Sequence, residues 1–267
     1  VRRIIWRELT DRKWSLFWYS FAAIVLLWTY AATYKSSVAS AQQLLEVVKT
    51  YPKALIEAFG LNSLASPSIE EYLNGKHFSF LWPIMASLLA LSRAGSQFAG
   101  EIQDHSLGLL LAMPLSRIKI FAAKYIAGLI TIAMFTGLST LPVIPLANVY
   151  GIETHPHILV AMWILCGLFM WTVYAVGLLV SSFVSHVGRV YALGAGVLLA
   201  SYIANIVALL NDKVDWLKQI SLFHYFDTAT VLSTGNISAQ TVEVFAGVIV
   251  AASAVAAWRF VMRDIHV

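Results

Sequence analysis

Hydrophobic and polar positions along this chain fall into long blocks rather than into short alternation. Residues 14–34, 125–152, 154–188 and 190–211 contain no Asp, Glu, Lys or Arg; 78–100 contains only Arg93, and 244–258 is a shorter final run. A helix needs about 20 apolar residues to cross a bilayer core. The blocks therefore predict six membrane helices, over 14–34, 78–100, 118–147, 158–184, 189–210 and 242–261. The expected fold class is all-α, a polytopic membrane protein forming a single transmembrane domain over 1–267.

The polar stretches between the blocks refine this reading. The first block is too long, and too rich in tryptophan and tyrosine, for a secretory signal, and no small-residue cleavage site follows it; it should stay in the mature protein. Ahead of it, VRRIIWRELTDRK (1–13) predicts an interfacial helix. At 100° per residue Ile5, Leu9 and Leu16 share a face, while Arg3, Arg7 and Asp11 point away. With Arg12, these cations suit anionic membrane lipid or a cytoplasmic partner, although a plain basic flank that sets topology reads the same way. Residues 35–77 predict a small helical outer segment between the first two crossings. Its signals are apolar spacing over 41–51, proline and Gly60 bracketing PKALIEAFG, and a capping-box spacing from Ser68 to Glu71. In the third block, Pro142 and Pro145 predict a kink or an early end. In the fifth, Gly188, Ala192, Gly196, Ala200, Ala204 and Ala208 recur every four residues, the pattern of a helix-packing seam in lipid; the spacing leaves open whether the seam meets this chain or a second copy.

Composition changes little in this picture, but charge orients it. With 59% hydrophobic and 12% charged residues, the chain is too apolar for a water-facing domain. Six crossings put both termini on one side, which collects twelve cations against five acids; the other side has six lysines and nine acids, so +7 and −3 sum to the net charge of +4. The positive-inside rule places both ends in the cytoplasm. The basic balance thus reflects topology, and nucleic-acid partners are not expected.

Much chemistry is missing. There is no phosphate-cradling glycine loop before Lys-Ser or Lys-Thr, no His-Glu-x-x-His, no paired-cysteine zinc spacing and no nucleophile elbow. His155 and His157 flank a proline and form the one outer histidine pair worth weighing as metal ligands, more plausibly ordinary loop residues. The six blocks hold no acid of the kind that couples protons or sodium. Arg93, alone in its block, is expected to snorkel to the headgroups. No cofactor is expected in this chain and no catalysis by it alone.

The segment EIQDHSLGLLLAMPLSR (101–117) stands out between the second and third blocks. Leu107, Leu110 and Leu111 make one apolar face, Pro114 ends it, and Ser116 can cap the next helix. Such a piece is either a loop anchored at the headgroups or a short amphipathic helix that passes a push to both neighbours. Glu101, then His105-Ser106-Leu107, then LLLAMPLSR and Lys124 resemble the signature of type 2 permeases of ATP-binding cassette transporters. SLFHYFDTATVLSTG and AAWRFVMRDI are weaker echoes. His105 departs from that pattern, which has glycine there.

The resemblance implies an exporter-type transmembrane subunit in the cytoplasmic (inner) membrane of a prokaryote. It would dimerise with an identical or related permease and dock two separate ATPase subunits, which hold ATP and Mg, through a coupling helix within 101–117. Leu107, Leu110 and Leu111 would fill a groove on the ATPase, Glu101, Arg117 and the amino-terminal arginines would make polar contacts there, and rigid second and fifth helices would carry the motion. A pathway without buried charge favours an amphipathic or apolar cargo such as a lipid, peptide or drug. The rival readings are an integral membrane enzyme and a non-transporting membrane assembly protein.

Overall fold

The computed structural model describes residues 1–48, 51, 56, 68–106, 108 and 115–262, with the side chains of 38–48 and Asp212 left aside. All regular structure among these residues is helical. Five helices are long and apolar enough to cross a membrane: Lys13–Ser37 within a longer helix, Arg117–Val149, Pro156–Phe183, Val187–Leu210 and Ala239–Met262. A bent pair, Ile69–Phe78 with Leu81–Gln103, makes a sixth span when counted as one, and its two arms meet at 53°. In chain order the bent pair is the second span and Ala239–Met262 the sixth.

That bend removes the straight rod expected of the second span. Phe80 leaves helical geometry at φ −134°, and the span carries π turns at Asn74–Phe78 and Ser96–Gly100. A π turn shifts the hydrogen-bond ladder and so releases or redirects backbone groups. One is used across the molecule: the Ala99 amide donates to Ser181 Oγ on the fourth span at 3.0 Å.

The first span is one helix from Lys13 to Val48, 36 residues, roughly 54 Å at 1.5 Å per residue. It outruns a hydrocarbon core of about 30 Å, so the start of the expected outer segment is a continuation of the span. The predicted helix in PKALIEAFG (52–60) lies outside the described residues apart from Ile56. Further on, Ser68 Oγ accepts the Glu71 amide at 3.2 Å, the first half of a capping box. The span ends on this side are then tied together: Asn74 Oδ1 accepts from Ser79 Oγ (2.8 Å) and Thr228 Oγ1 (2.6 Å), and Glu70 takes the His155 amide at 2.6 Å.

The third span breaks at Leu141–Pro142 and resumes as Val143–Val149. Pro142 sits at the N-cap and Pro145 in the first turn, positions whose amides have no intrahelical acceptor, so neither proline costs a hydrogen bond.

The fourth span is the hub, packing on the second, third, fifth and sixth. Of its apolar stretch 61% is buried, against 11% for the fifth span, which is therefore peripheral. At the hub Trp82 stacks on Phe135 and Phe226 with centroids 6.2 and 5.9 Å apart. Its indole N–H, costly to leave bare in lipid, donates to Ser139 Oγ at 2.8 Å.

The packing glycines are not the predicted ones. A Cβ on Gly194 would lie 2.5 Å from Leu91 and one on Gly177 2.8 Å from Ala94, whereas Gly188 and Gly196 have nothing within 4 Å. Gly188, Ala192, Gly196 and Ala200 are exposed, Ala204 is half-buried and only Ala208 is buried; over most of its length the stripe is no seam within this chain. Helical phase gives the reason. Four residues advance about 400°, so the stripe drifts by about 40° per step. Relative to Gly188, the buried Val190, Gly194, Ser201 and Ala208 fall at about 200–240°, a sector the drifting stripe approaches at Ala204 and enters only at its last member, Ala208.

Candidate functional site

The amino-terminal helix Arg2–Asp11 packs on the third span. Its inward face carries Ile4, which is buried, and Glu8; Leu16 belongs to the next helix, so the expected stripe through Ile5, Leu9 and Leu16 does not continue across the break at Arg12. Arg3, Arg7 and Arg12 are exposed, and Arg7 pairs with Asp11 at 3.4 Å.

Glu8 is the residue that the sequence reading missed. Lys124, wholly buried in the third span, donates to Glu8 and, at 2.7 Å, to Glu101 Oε1. The two carboxylate side chains are only 14% and 12% exposed. Three elements therefore meet at one ammonium: the amino-terminal helix, the inner end of the second span and the third span. Around it Gln97 donates to the Lys124 carbonyl at 2.8 Å and accepts from the Tyr174 hydroxyl of the fourth span at 2.7 Å. That hydroxyl reaches Gln97 only because residue 128 is glycine, since a Cβ there would lie 2.0 Å from Tyr174 Oη. Buried charges are tolerable when paired and hydrogen-bonded in this manner.

Arg93 does not snorkel. It is 2% exposed and its Nη1 donates to the Glu8 carbonyl at 3.0 Å, while Nε and Nη2 have no partner among the described residues. Its guanidinium is turned instead toward the backbone of the helix Arg2–Asp11.

The 101–117 segment leaves from this cluster. Its first turn ends in a Schellman motif: the Ser106 amide donates to the Glu101 carbonyl (3.0 Å), the His105 amide to the Ile102 carbonyl (3.2 Å), and His105 has φ +53°. The left-handed position of this motif usually takes glycine because a Cβ is strained there. The resembled signature has glycine at this step, and the backbone keeps that turn with histidine in it. Leu107, Leu110, Leu111 and Pro114 lie outside the described residues. At the return, Ser116 occupies the N-cap but makes no side-chain cap bond; its carbonyl takes the Lys119 and Ile120 amides. Arg117 Nη1 donates to the Val261 carbonyl at 3.0 Å, tying the start of the third span to the last turn of the sixth, where a cation complements the helix dipole.

The geometry is thus a braced frame from which a loop emerges. Among the described residues no group of three or more His, Cys, Asp or Glu could hold a metal ion; His155 Nδ1 lies 3.3 Å from Glu70. The sequence profile of the ABC-2 family transporter proteins matches residues 2–265. The chain belongs to the ABC-2 transporter family. It is a multi-pass membrane subunit of that family, whose permeases, typically non-catalytic, pair with ATP-binding cassette ATPase subunits. Comparison with curated proteins gives no match.

Proposed function

We propose that this ABC-2 subunit is the permease half of an exporter, driven by two separate ATPase subunits that dock on the 101–117 segment from the cytoplasm. The observation that carries this reading is the Glu101–Lys124–Glu8 cluster at the root of that segment. A push on the loop enters the second span through Glu101, the third through Lys124 and the amino-terminal helix through Glu8, so three elements would move as one body. Leu107, Leu110 and Leu111 are the proposed contacts for a groove on the ATPase, with Ser106 and Arg117 at its edges. ATP and Mg belong to that partner. The termini lie on the same cytoplasmic side, in the inner membrane of a prokaryote.

A second permease copy or a related chain would cover the outward face of the fifth span. Gly188, Ala192, Gly196 and Ala200 there are exposed, and a Cβ on either glycine would find nothing within 4 Å; small residues allow close backbone approach in lipid. The cargo is amphipathic or apolar. Its route would run between the two permeases, and the aromatic and aliphatic side chains exposed on the spans suit such a molecule. The test is copurification with the tagged ATPase and stimulation of its hydrolysis in liposomes. Leu110→Asp should abolish both while leaving the permease folded. Association and stimulation at wild-type levels in that variant would remove the segment from the coupling role.

A further inference from the structure

An open cleft of about 690 Å³ lies between the amino-terminal helix, the first span and the third span, with Arg93 of the second span at its wall. Two features set it apart from an ordinary groove between helices. Its walls are mostly apolar, with the hydroxyls of Thr10, Ser20 and Thr131 and a cationic end: Arg12, Lys13 and Arg93 line it and no carboxylate does. And Arg93, 2% exposed, leaves Nε and Nη2 without an acceptor among the described residues. Buried guanidinium donors are costly to leave bare. The carboxylates whose charge reaches Arg93, Glu8 and Asp11, are held by Lys124 and Arg7. The vacant donors therefore call for an acceptor from outside the chain.

The length of the cleft says which one. It runs along the first span from Lys13 to Ile24 and along the third to Leu138. Eleven residues of helix rise about 16 Å, close to half of a hydrocarbon core of about 30 Å. The cationic end lies where the first span begins, at headgroup depth, and the apolar end lies near the bilayer midplane. Part-way up, Ser20 Oγ lines the cleft and is buried without a partner.

We propose that the cleft holds one anionic phospholipid from the leaflet that faces the chain termini. Its phosphate accepts from Arg93 Nε and Nη2 between Arg12 and Lys13, an ester carbonyl accepts from Ser20, and one acyl chain lies along Phe17, Ile24 and Leu138. The lipid completes the wall between the amino-terminal helix and the spans. A free phosphate satisfies the guanidinium but leaves the apolar wall unfilled.

The probe is thermal unfolding of the detergent-purified full chain, titrated with phosphatidylglycerol, phosphatidylcholine or inorganic phosphate. Phosphatidylglycerol should raise the melting temperature saturably and the other two should not. The double variant Arg12→Gln/Lys13→Gln, at two exposed positions where folding is not at risk, should raise the half-saturating phosphatidylglycerol concentration about thirtyfold, roughly fivefold for each cation near the headgroups. Leu138→Trp, which fills the apolar end and touches no charge, should weaken the same titration. Equal stabilisation by phosphatidylcholine, a full effect from inorganic phosphate, or a double variant that titrates like wild type would each overturn the assignment. The readout is lipid-dependent stability, so these outcomes leave the exporter reading where it stands.

Discussion

Replacing Lys124 with methionine is the sharpest test of the cluster. The ammonium is completely buried, touches Glu8 and lies 2.7 Å from Glu101 Oε1, while Glu101 Oε2 has no other partner. Methionine fills similar space without charge, so packing is conserved. What changes is that two carboxylates, 14% and 12% exposed, face each other with nothing between them. Removing one partner of a buried ion pair costs about 3–5 kcal/mol, a large fraction of the roughly 5–15 kcal/mol that holds a typical domain folded. Glu101→Gln in the same background removes one of the stranded charges and keeps its shape. Much of the loss should return, with a coupling energy of about 1–3 kcal/mol in the double-mutant cycle. Unfolding in detergent followed by tryptophan fluorescence provides all four corners. If Lys124→Met alone shifts stability by less than about 0.5 kcal/mol, or the two substitutions simply add, the charges are not coupled as their positions require and the braced frame loses its basis.

Gly128→Ala should destabilise by about 1–3 kcal/mol, because its Cβ would sit 2.0 Å from Tyr174 Oη; Tyr174→Phe should recover part of the loss in the same thermal assay, and Gly196→Ala, with nothing within 4 Å, should be close to neutral in the isolated subunit. His105→Gly should stabilise the turn by about 1–2 kcal/mol by relieving the left-handed backbone at φ +53°. The measurement is slower hydrogen exchange at the Ser106 amide, which bonds to the Glu101 carbonyl; His105→Val should speed the same exchange.

The spans were legible because lipid imposes a simple demand: every backbone polar group must be satisfied internally and every outward side chain must tolerate hydrocarbon. Charge-free runs report that demand directly. The interior is harder to read because burial in lipid does not separate core from surface by polarity. Leu193 and Leu199 are more than half exposed while Arg93 and Lys124 are buried, the reverse of the order expected in water. A four-residue stripe identifies a face with small residues but not the direction that face looks, and the close contacts went instead to Gly128, Gly177 and Gly194, glycines outside it. One signal for the cluster was present. Lys124 lies seven residues beyond Arg117, two turns and about 10 Å inside an apolar helix, too deep for a cation that only sets orientation. Its partner Glu8 could not be assigned in advance, because its place depends on how the amino-terminal helix folds back onto the third span.

The same cluster accounts for two oddities at once. A membrane chain with few charges concentrates four of them, Glu8, Arg93, Glu101 and Lys124, at the point where a polar loop meets the spans. A strained turn follows directly, with histidine in a glycine position. If the loop were only a re-entry connection, selection for stability would favour apolar packing in place of the ion pairs and glycine in place of histidine. Both features cost stability and both fix direction, since paired charges hold one register and a Schellman turn sets the angle at which the chain leaves the helix. A segment that receives force needs a fixed exit angle and a root that does not slip. Uncoupling the two should therefore separate folding from transduction: Glu101→Gln alone leaves Lys124 paired with Glu8 and the fold intact, yet ATPase stimulation in liposomes should fall, because the second span has lost its charged tie to the third at the root of the loop and keeps only neutral hydrogen bonds such as Gln97 to the Lys124 carbonyl.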